Sequence, residues 1–347
     1  MIKIKKLIKA LCLFSIVLIL GGCYDYHELN SLDIISGIGI SFNDNIYEVT
    51  YEVINTSIDK DNKESKKSFI VLGSGKNISE AFYNTNNKLN KKPYFQHIKV
   101  MIIDDKVDIT SISDYLIRSN MITTNFYLVM ADNPKEMLGF TNEDKVINAN
   151  YVYDILKKMN YAKMSNYFDF QVNKIIDKID ISIPKFIIDN KIMFKTYGLY
   201  RGNKFICYLD DFNLNMYNFF LKDNNISYSN DKNSIKLYNN SLKTSTKEKI
   251  NFNFNLKAKV EVLSDNYNLR SNDDFKKLET EFTDSLEKDL TKFIEFLREK
   301  QIDLLGINYQ YYLKSKKFND NYFRDTDFEI KVKVKVNKPG LTIRRCQ

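Results

Sequence analysis

Two segments in the last third of the sequence leave little freedom of architecture. Phe252, Phe254, Leu256, Ala258, Val260 and Val262 alternate with Asn253, Asn255, Lys257, Lys259 and Glu261. Phe328, Ile330, Val332, Val334 and Val336 alternate in the same way with Lys331, Lys333 and Lys335. A strand sends successive side chains to opposite faces, so each segment reads as a strand with one face in a core and the other in water. Between them, behind Asp273-Asp274, Phe275, Leu278, Phe282, Leu286, Leu290, Phe293 and Leu297 recur at spacings of three and four, which predicts one long amphipathic helix. An apolar strand face and an apolar helix stripe bury each other, so this helix is expected to pack on the sheet. A partner helix is the other use for such a stripe. The lysines read as solvated gatekeepers on an exposed sheet face, with anionic lipid headgroups or wall polymers as the alternative counterpart.

The preceding residues alternate between short strands and helices. Leu32 to Ser41 and the alternation Tyr47, Val49, Tyr51, Val53 flank Asn43-Asp44-Asn45, a hairpin pattern. A polar loop over Asp59 to Lys67 leads to a strand at Ser68 to Leu72 and a turn at Gly73-Ser74-Gly75. Asn77 with Glu80 three residues on then opens a helix running to about Leu89. Gly73-Ser74-Gly75-Lys76 is not a phosphate loop, because Ile70 and Asn77 stand where the first glycine and the hydroxyl residue belong. Pro93 to Ile103 predicts a buried strand with His97 as a core histidine. A short helix over Ile112 to Arg118, a strand over Phe126 to Met130 and a helix from Asn133-Pro134 follow.

Val152, Ile155, Leu156 and Met159 give Thr141 to Asp180 helical spacing. Strands return at Ile181 with Pro184 near an edge, and Lys191 to Tyr200 and Lys204 to Leu209 form a hairpin around Arg201-Gly202-Asn203. Asp223 to Lys249, rich in Asn, Ser and Lys, reads as loops and short edge strands. The fold class expected is α+β: a multi-domain mixed α/β body with antiparallel-rich sheets, each packed by helices. The expected organisation is a leader over 1–22, an N-terminal α+β domain over 23–140, a helical connector over 141–190 that is connector or part of a middle domain, and a C-terminal α+β domain over 191–344.

The leader says where the protein resides. Lys3, Lys5, Lys6 and Lys9 precede an apolar run from Ala10 to Leu20, too short to span a bilayer, which ends at Gly21-Gly22-Cys23. Leu20-Gly21-Gly22-Cys23 resembles a bacterial lipobox, in which Cys23 becomes the acylated N-terminus and anchors the protein to the membrane. Each buried CH2 of an acyl chain contributes about 0.8 kcal/mol, so two or more chains hold stably. Removing residues 1–22 takes away four lysines and no acids, which lowers the net charge from +8 to +4. With export, that small excess and no arginine-rich recognition pattern, a nucleic-acid partner is excluded.

Candidate chemistry is sparse. His27 and His97 are isolated, so no zinc set is expected, and no cofactor is implied. No G-x-S-x-G elbow, H-E-x-x-H or P-loop occurs. Cys207 and Cys346 remain as thiols after Cys12 leaves and Cys23 is acylated, with no spacing motif for a bridge. No catalytic residue is assigned, and the chain is expected not to be an enzyme.

Cys23-Tyr24-Asp25-Tyr26-His27-Glu28-Leu29-Asn30 followed by Ile35-Ser36-Gly37-Ile38-Gly39-Ile40 resembles the mature start of the Ger(x)C spore germination lipoproteins, the C subunits of nutrient germinant receptors. Tyr24 replaces the tryptophan usual there. Tyr94 to Val100, the hairpin from Tyr197-Gly198-Leu199-Tyr200, and Gln301-Ile302-Asp303-Leu304-Leu305-Gly306 before the strand from Phe328 fit in the same order. The resemblance implies a lipid-anchored, non-enzymatic subunit on the outer face of the spore inner membrane. It would act in assembly or signal relay with membrane A and B subunits, with a small-molecule nutrient sensed by the complex. A lipid-anchored solute-binding protein is the alternative; it requires two similar lobes around a cleft, and no internal repeat is visible. A wall hydrolase requires a paired acid or a metal set.

Overall fold

Leu32–Asn43 (β1) and Ile46–Ile54 (β2) pair antiparallel around Asp44 and Asn45, whose φ angles of 51° and 61° are those of a two-residue turn matched to strand twist. The computed structural model describes residues 31–56, 67–119, 122–141, 146–158, 166–172, 180–221, 226–230, 233–262 and 272–337. The polar loop expected over Asp59 to Lys67 lies almost wholly outside them.

Ser68–Gly75 (β3) pairs with β2, and the sheet continues from β1 through Val100–Ile103 (β5), Tyr127–Met130 (β6), Ile181–Asp189 (β7), Lys191–Arg201 (β8) and Lys204–Tyr208 (β9), with Lys92–Tyr94 (β4) added on β1. Its flanks are antiparallel, but the ladders joining β4 and β5 to β1, β5 to β6, and β6 to β7 are parallel. Parallel ladders need crossovers, and these place helices on both faces. Ile78–Asn86 (α1), Ile109–Ser119 (α2) and Tyr167–Val172 (α5) share a core with Ile38, Met101, Ile103 and Leu128. Pro134–Gly139 (α3) and Asn148–Lys158 (α4) share another with Val100, Ile102 and Val129.

The second sheet is Ser227–Ser229 (β10), Ser234–Thr246 (β11), Ile250–Val262 (β12) and Phe328–Val336 (β13) in that order. Asp211–Phe220 (α6), Asn272–Glu299 (α7), Ile307–Ser315 (α8) and Tyr322–Asp325 (α9) accompany it. The long helix packs on the sheet as its stripe predicts: Leu278, Phe282, Leu286, Leu290, Phe293 and Leu297 are buried with Phe252, Phe254, Val332 and Val334. Each such side chain contributes roughly 1.5–3 kcal/mol by leaving water. α7 also closes the sheet edge. Glu279 and Glu287 accept the N–H groups of Val336 and Val332 at 2.8 Å, and Thr283 accepts that of Val334 at 3.4 Å, a one-turn repeat lying along the free side of β13.

Several expectations are corrected. Gly73 and Gly75 are strand residues, and the turn is at Lys76-Asn77. A Cβ at either glycine would collide with the backbone of Thr85 or Ala81, so they let α1 lie against β3. α1 is capped by Asn77 as expected but ends at Asn86, short of Leu89. His97 is exposed beside Tyr94, with ring centroids 5.6 Å apart, and is not a core residue. The predicted strand is broken there because the register on β1 moves from Ile34↔Tyr94 to Gly37↔Val100, so the segment between leaves the ladder with Phe95 and Ile98 buried and Gln96 and His97 exposed.

Pro184 is not at an edge: β7 lies between β6 and β8, but it meets β6 at Met130↔Lys185 alone among the described residues, so its missing N–H is tolerated. The stretch predicted as loops and short edge strands contains the 13-residue β11, an inner strand. A bulge between Leu237 and Asn239 switches its inward set from Ile235 and Leu237 to Asn240 and Leu242, and thereby erases the period of two. α6, capped by Asp210, has no counterpart among the predicted elements.

Candidate functional site at the junction of the two sheets

α7 ends at Glu299, and Gln301 takes a left-handed conformation with φ of 56° that turns the chain into Ile302 and Asp303. The first N–H groups of a helix lack partners within it, and Asp303 supplies them for α8. Its Oδ1 accepts from Ile307 at 2.9 Å and its Oδ2 from Asn308 at 2.8 Å, while Gly306 turns the backbone at φ of 63°. The Asp and Gly of Gln301–Gly306 are thus the two halves of one helix start.

The large sheet grips this segment from the other side. Asp180, at the entry to β7, accepts the Asp303 N–H at 2.8 Å through Oδ2 and the Gly202 N–H at 3.4 Å through Oδ1. Arg201 donates to Gln301 Oε1 at 2.9 Å, and the hydroxyls of Ser182 in β7 and Tyr217 in α6 lie 2.9 Å apart. Gly202, with φ of 60°, permits the tight turn that brings Arg201 there. β8 belongs to both bodies: it is paired within the large sheet, yet Tyr197 and Leu199 are buried in the core of the small one.

Burial pushes the Asp303 carboxyl up to about 6, opposed by the α8 amides and aided by the nearby Asp180 charge. Burial likewise raises Asp180, opposed by its two amide donors and Arg201. Burial raises the Tyr217 hydroxyl to about 12. Both carboxylates spend their oxygens on backbone N–H groups, so the arrangement is a latch between two bodies. Behind it a cavity of about 320 Å³ is lined by Tyr217, Phe220, Phe252, Leu304, Leu305 and Gln310, with no charged side chain in its wall.

Another buried carboxylate lies on the far side of the large sheet. Glu52 is fully buried and accepts from Asn148 N at 2.7 Å, Ala149 N at 2.8 Å, Ser68 Oγ at 2.9 Å and Ser36 Oγ at 3.0 Å, joining three strands to the start of α4. Burial pushes its carboxyl up, against these four donors. Beside it, a Cβ on Gly37 would stand 2.7 Å from Ala149 Cβ, and one on Gly39 would stand 3.0 Å from Pro134 Cβ. The Ser36-Gly37-Ile38-Gly39 run therefore lets α3 and α4 settle onto β1.

Of the residues singled out from sequence, Cys23, the Tyr24 to Asn30 segment with His27, and Cys346 lie outside the described residues. Cys207 is half-buried in β9, and burial raises its thiol. Sequence reasoning missed Glu52; its one signal was an acid on the polar side of an alternating strand. Among the described residues no group of His, Cys, Asp and Glu is placed to hold a metal, and no helix is long and apolar enough to cross a membrane.

Known proteins resemble the chain along nearly its whole length. The family "Spore germination protein N-terminal domain" matches residues 25–188, and "Spore germination B3/ GerAC like, C-terminal" matches residues 196–340. Spore germination protein A3 of Bacillus subtilis (strain 168) is 24% identical over 157 residues, 43% of this chain and 42% of that protein. Spore germination protein KC of the same organism is 28% identical over 143 residues, 38% of this chain and 35% of that one. These matches span less than half the length of either relative. A solved structure described as "Crystal Structure of the GerBC protein" superposes with a TM-score of 0.51 at 16% identity, covering 90% of this chain and 100% of that one, a likeness of fold.

Proposed function

The chain belongs to the GerAC-like family of spore germination proteins, and from that premise we infer that it is the non-enzymatic, lipid-anchored C subunit of a nutrient germinant receptor. In this reading Cys23 carries the acyl chains on the outer face of the spore inner membrane. The short segment from Tyr24 to Asn30 keeps the folded body close to the membrane A and B subunits, and the body serves assembly or signal relay. The observation that carries the reading is the order of features: a lipobox, then both family domains in sequence across nearly all of the mature chain. The buried acids support a non-catalytic role, because Glu52, Asp180 and Asp303 are each engaged by backbone amides.

The solute-binding alternative calls for two similar lobes. The two bodies here differ in strand number and in topology, nine strands with a parallel centre against four among the described residues, and so do not favour it.

The test is deletion of the gene in the spore-forming host, with germination scored on a panel of nutrients. Loss of response to particular nutrients with normal growth is expected, with rescue by the intact gene and not by a Cys23→Ala copy. In the same strains Cys23→Ala should abolish lipid labelling and membrane retention. Unchanged germination on every nutrient, in a strain lacking a second copy of the receptor, would overturn the assignment.

A further inference from the structure

The outward face of the four-stranded sheet carries a charge pattern that the fold does not use. Lys257 pairs across the strands with Lys335, and Lys236 with Lys259. Like charges directly opposite one another destabilise a sheet. Lys243, Lys331 and Lys333 extend the array, and all seven lysines are exposed. The acids among them are Glu261 and Glu329, and Glu329 is already held by Lys249 at 2.5 Å and Lys331 at 3.0 Å. Among the described residues none of the other six lysines is ion-paired, and no helix covers this face, α7 lying on the opposite, apolar side.

Edge protection does not account for the pattern. Lys257 and Lys259 belong to β12, which is paired on both sides, and the free edge of β13 is already closed by Glu279, Thr283 and Glu287. We propose that the outward face of the β10–β13 sheet docks on an anionic phospholipid surface, its lysines meeting the phosphate headgroups. Neighbouring strands lie about 4.8 Å apart and alternate residues about 7 Å apart along a strand. The charges therefore form a two-dimensional array, which matches a plane of headgroups better than a single polyanionic strand. The choice of lipid rests on the anchored reading above: the chain length from Cys23 to Leu32 permits a reach of at most about 30 Å, which confines the body near the bilayer. Asn251, Asn253, Asn255 and Ser241 share the face and offer further hydrogen-bond donors to phosphate.

The test uses the mature chain, residues 23–347, with Cys23→Ala, so that neither the leader nor an acyl chain is attached. Its sedimentation is compared with vesicles of phosphatidylglycerol mixed into phosphatidylcholine and with vesicles of phosphatidylcholine alone. The leader must be absent because its Lys3, Lys5, Lys6 and Lys9 would favour anionic vesicles by themselves. A preference for the anionic vesicles of about tenfold or more is expected, collapsing at high salt. Combining Lys257→Gln, Lys333→Gln and Lys335→Gln should remove most of that preference without lowering the melting temperature, because it relieves repulsion, and arginine at the same positions should retain it. Equal binding to both vesicles, or a preference unchanged in the glutamine variant, would overturn the proposal. Binding to soluble poly(glycerol phosphate) as tight as to the anionic vesicles would reassign the face to a wall polymer. Lipid labelling at Cys23 reads the anchor separately, so either idea can fail without the other.

Discussion

In β5 of the nine-stranded sheet every residue is buried and in β1 nearly every one, whereas along β13 of the four-stranded sheet burial falls on every second residue. Helices on both faces exclude water from the first sheet, so a polar group on either side must find its partners inside the protein. Glu52 does so with four donors, and Thr50 is buried on the same face. In the second sheet one face has its helix and the other has water, so polar side chains there are free to accumulate charge without a partner. Identical alternation in sequence therefore leads to opposite consequences, set by whether a helix arrives on the second face.

Truncating Glu52 to alanine should be the largest break in this contrast. It removes a carboxylate and leaves the buried amides of Asn148 and Ala149 without acceptors, a loss of about 3–5 kcal/mol in denaturant unfolding. A cost below about 1 kcal/mol would mean that water reaches this face.

Asp303 probes the link between the sheets through pH. Its carboxyl is raised to about 6 in the folded protein, above the unfolded value near 3.9, so the folded state binds the proton more tightly. Its contribution is full below about pH 4 and is lost as pH rises through 6, a change of roughly 3 kcal/mol at 1.36 kcal/mol per unit. Asp180 and Glu52 are raised too and add the same sign, so the difference between the wild type and Asp303→Asn isolates the one group. The variant should show a flatter stability profile between pH 4 and 6, followed by thermal melts; parallel profiles would sink the assignment.

Gly37→Val tests helix contact on β1 and should cost about 1–3 kcal/mol by overpacking against Ala149. Asn255→Val, at an exposed position of β12, should stay within about 0.5 kcal/mol, and equal costs would erase the distinction between covered and bare faces. The smallest effect has the reverse sign. Lys335→Gln should stabilise by about 0.2–1 kcal/mol at low salt because it relieves Lys257, and the gain should shrink as salt is added.

What the sequence made legible follows the same division. β12, β13 and α7 announce themselves because one wet face preserves the period of two and one wet stripe preserves the period of 3.6. The parallel centre is harder: β5 and β6 are short apolar runs whose pairing direction is not encoded locally. β11 was hidden by its bulge, and His97 by a register slip that no local pattern records. At the junction, Asp303 and Gly306 were visible as a motif, and the bonds that start α8 lie within five positions of Asp303, but the grip of Asp180 joins residues 123 positions apart. Glu52 was invisible for a simpler reason: an acid on the polar side of an alternating strand looks the same under a helix as under water.

The parallel pairing of β12 with β13 also sets an order of events during synthesis. Ile250 cannot find Phe328 until the whole of α7 and the turn through Asp303 have been made, so the β12 edge is bare while the antiparallel β11–β12 pair can already form. Long-range parallel pairing is slow, and an unpaired edge in that interval invites association with another nascent chain. Until Phe328 to Val336 have been made, the backbone groups of β12 that β13 will take stay open to such association.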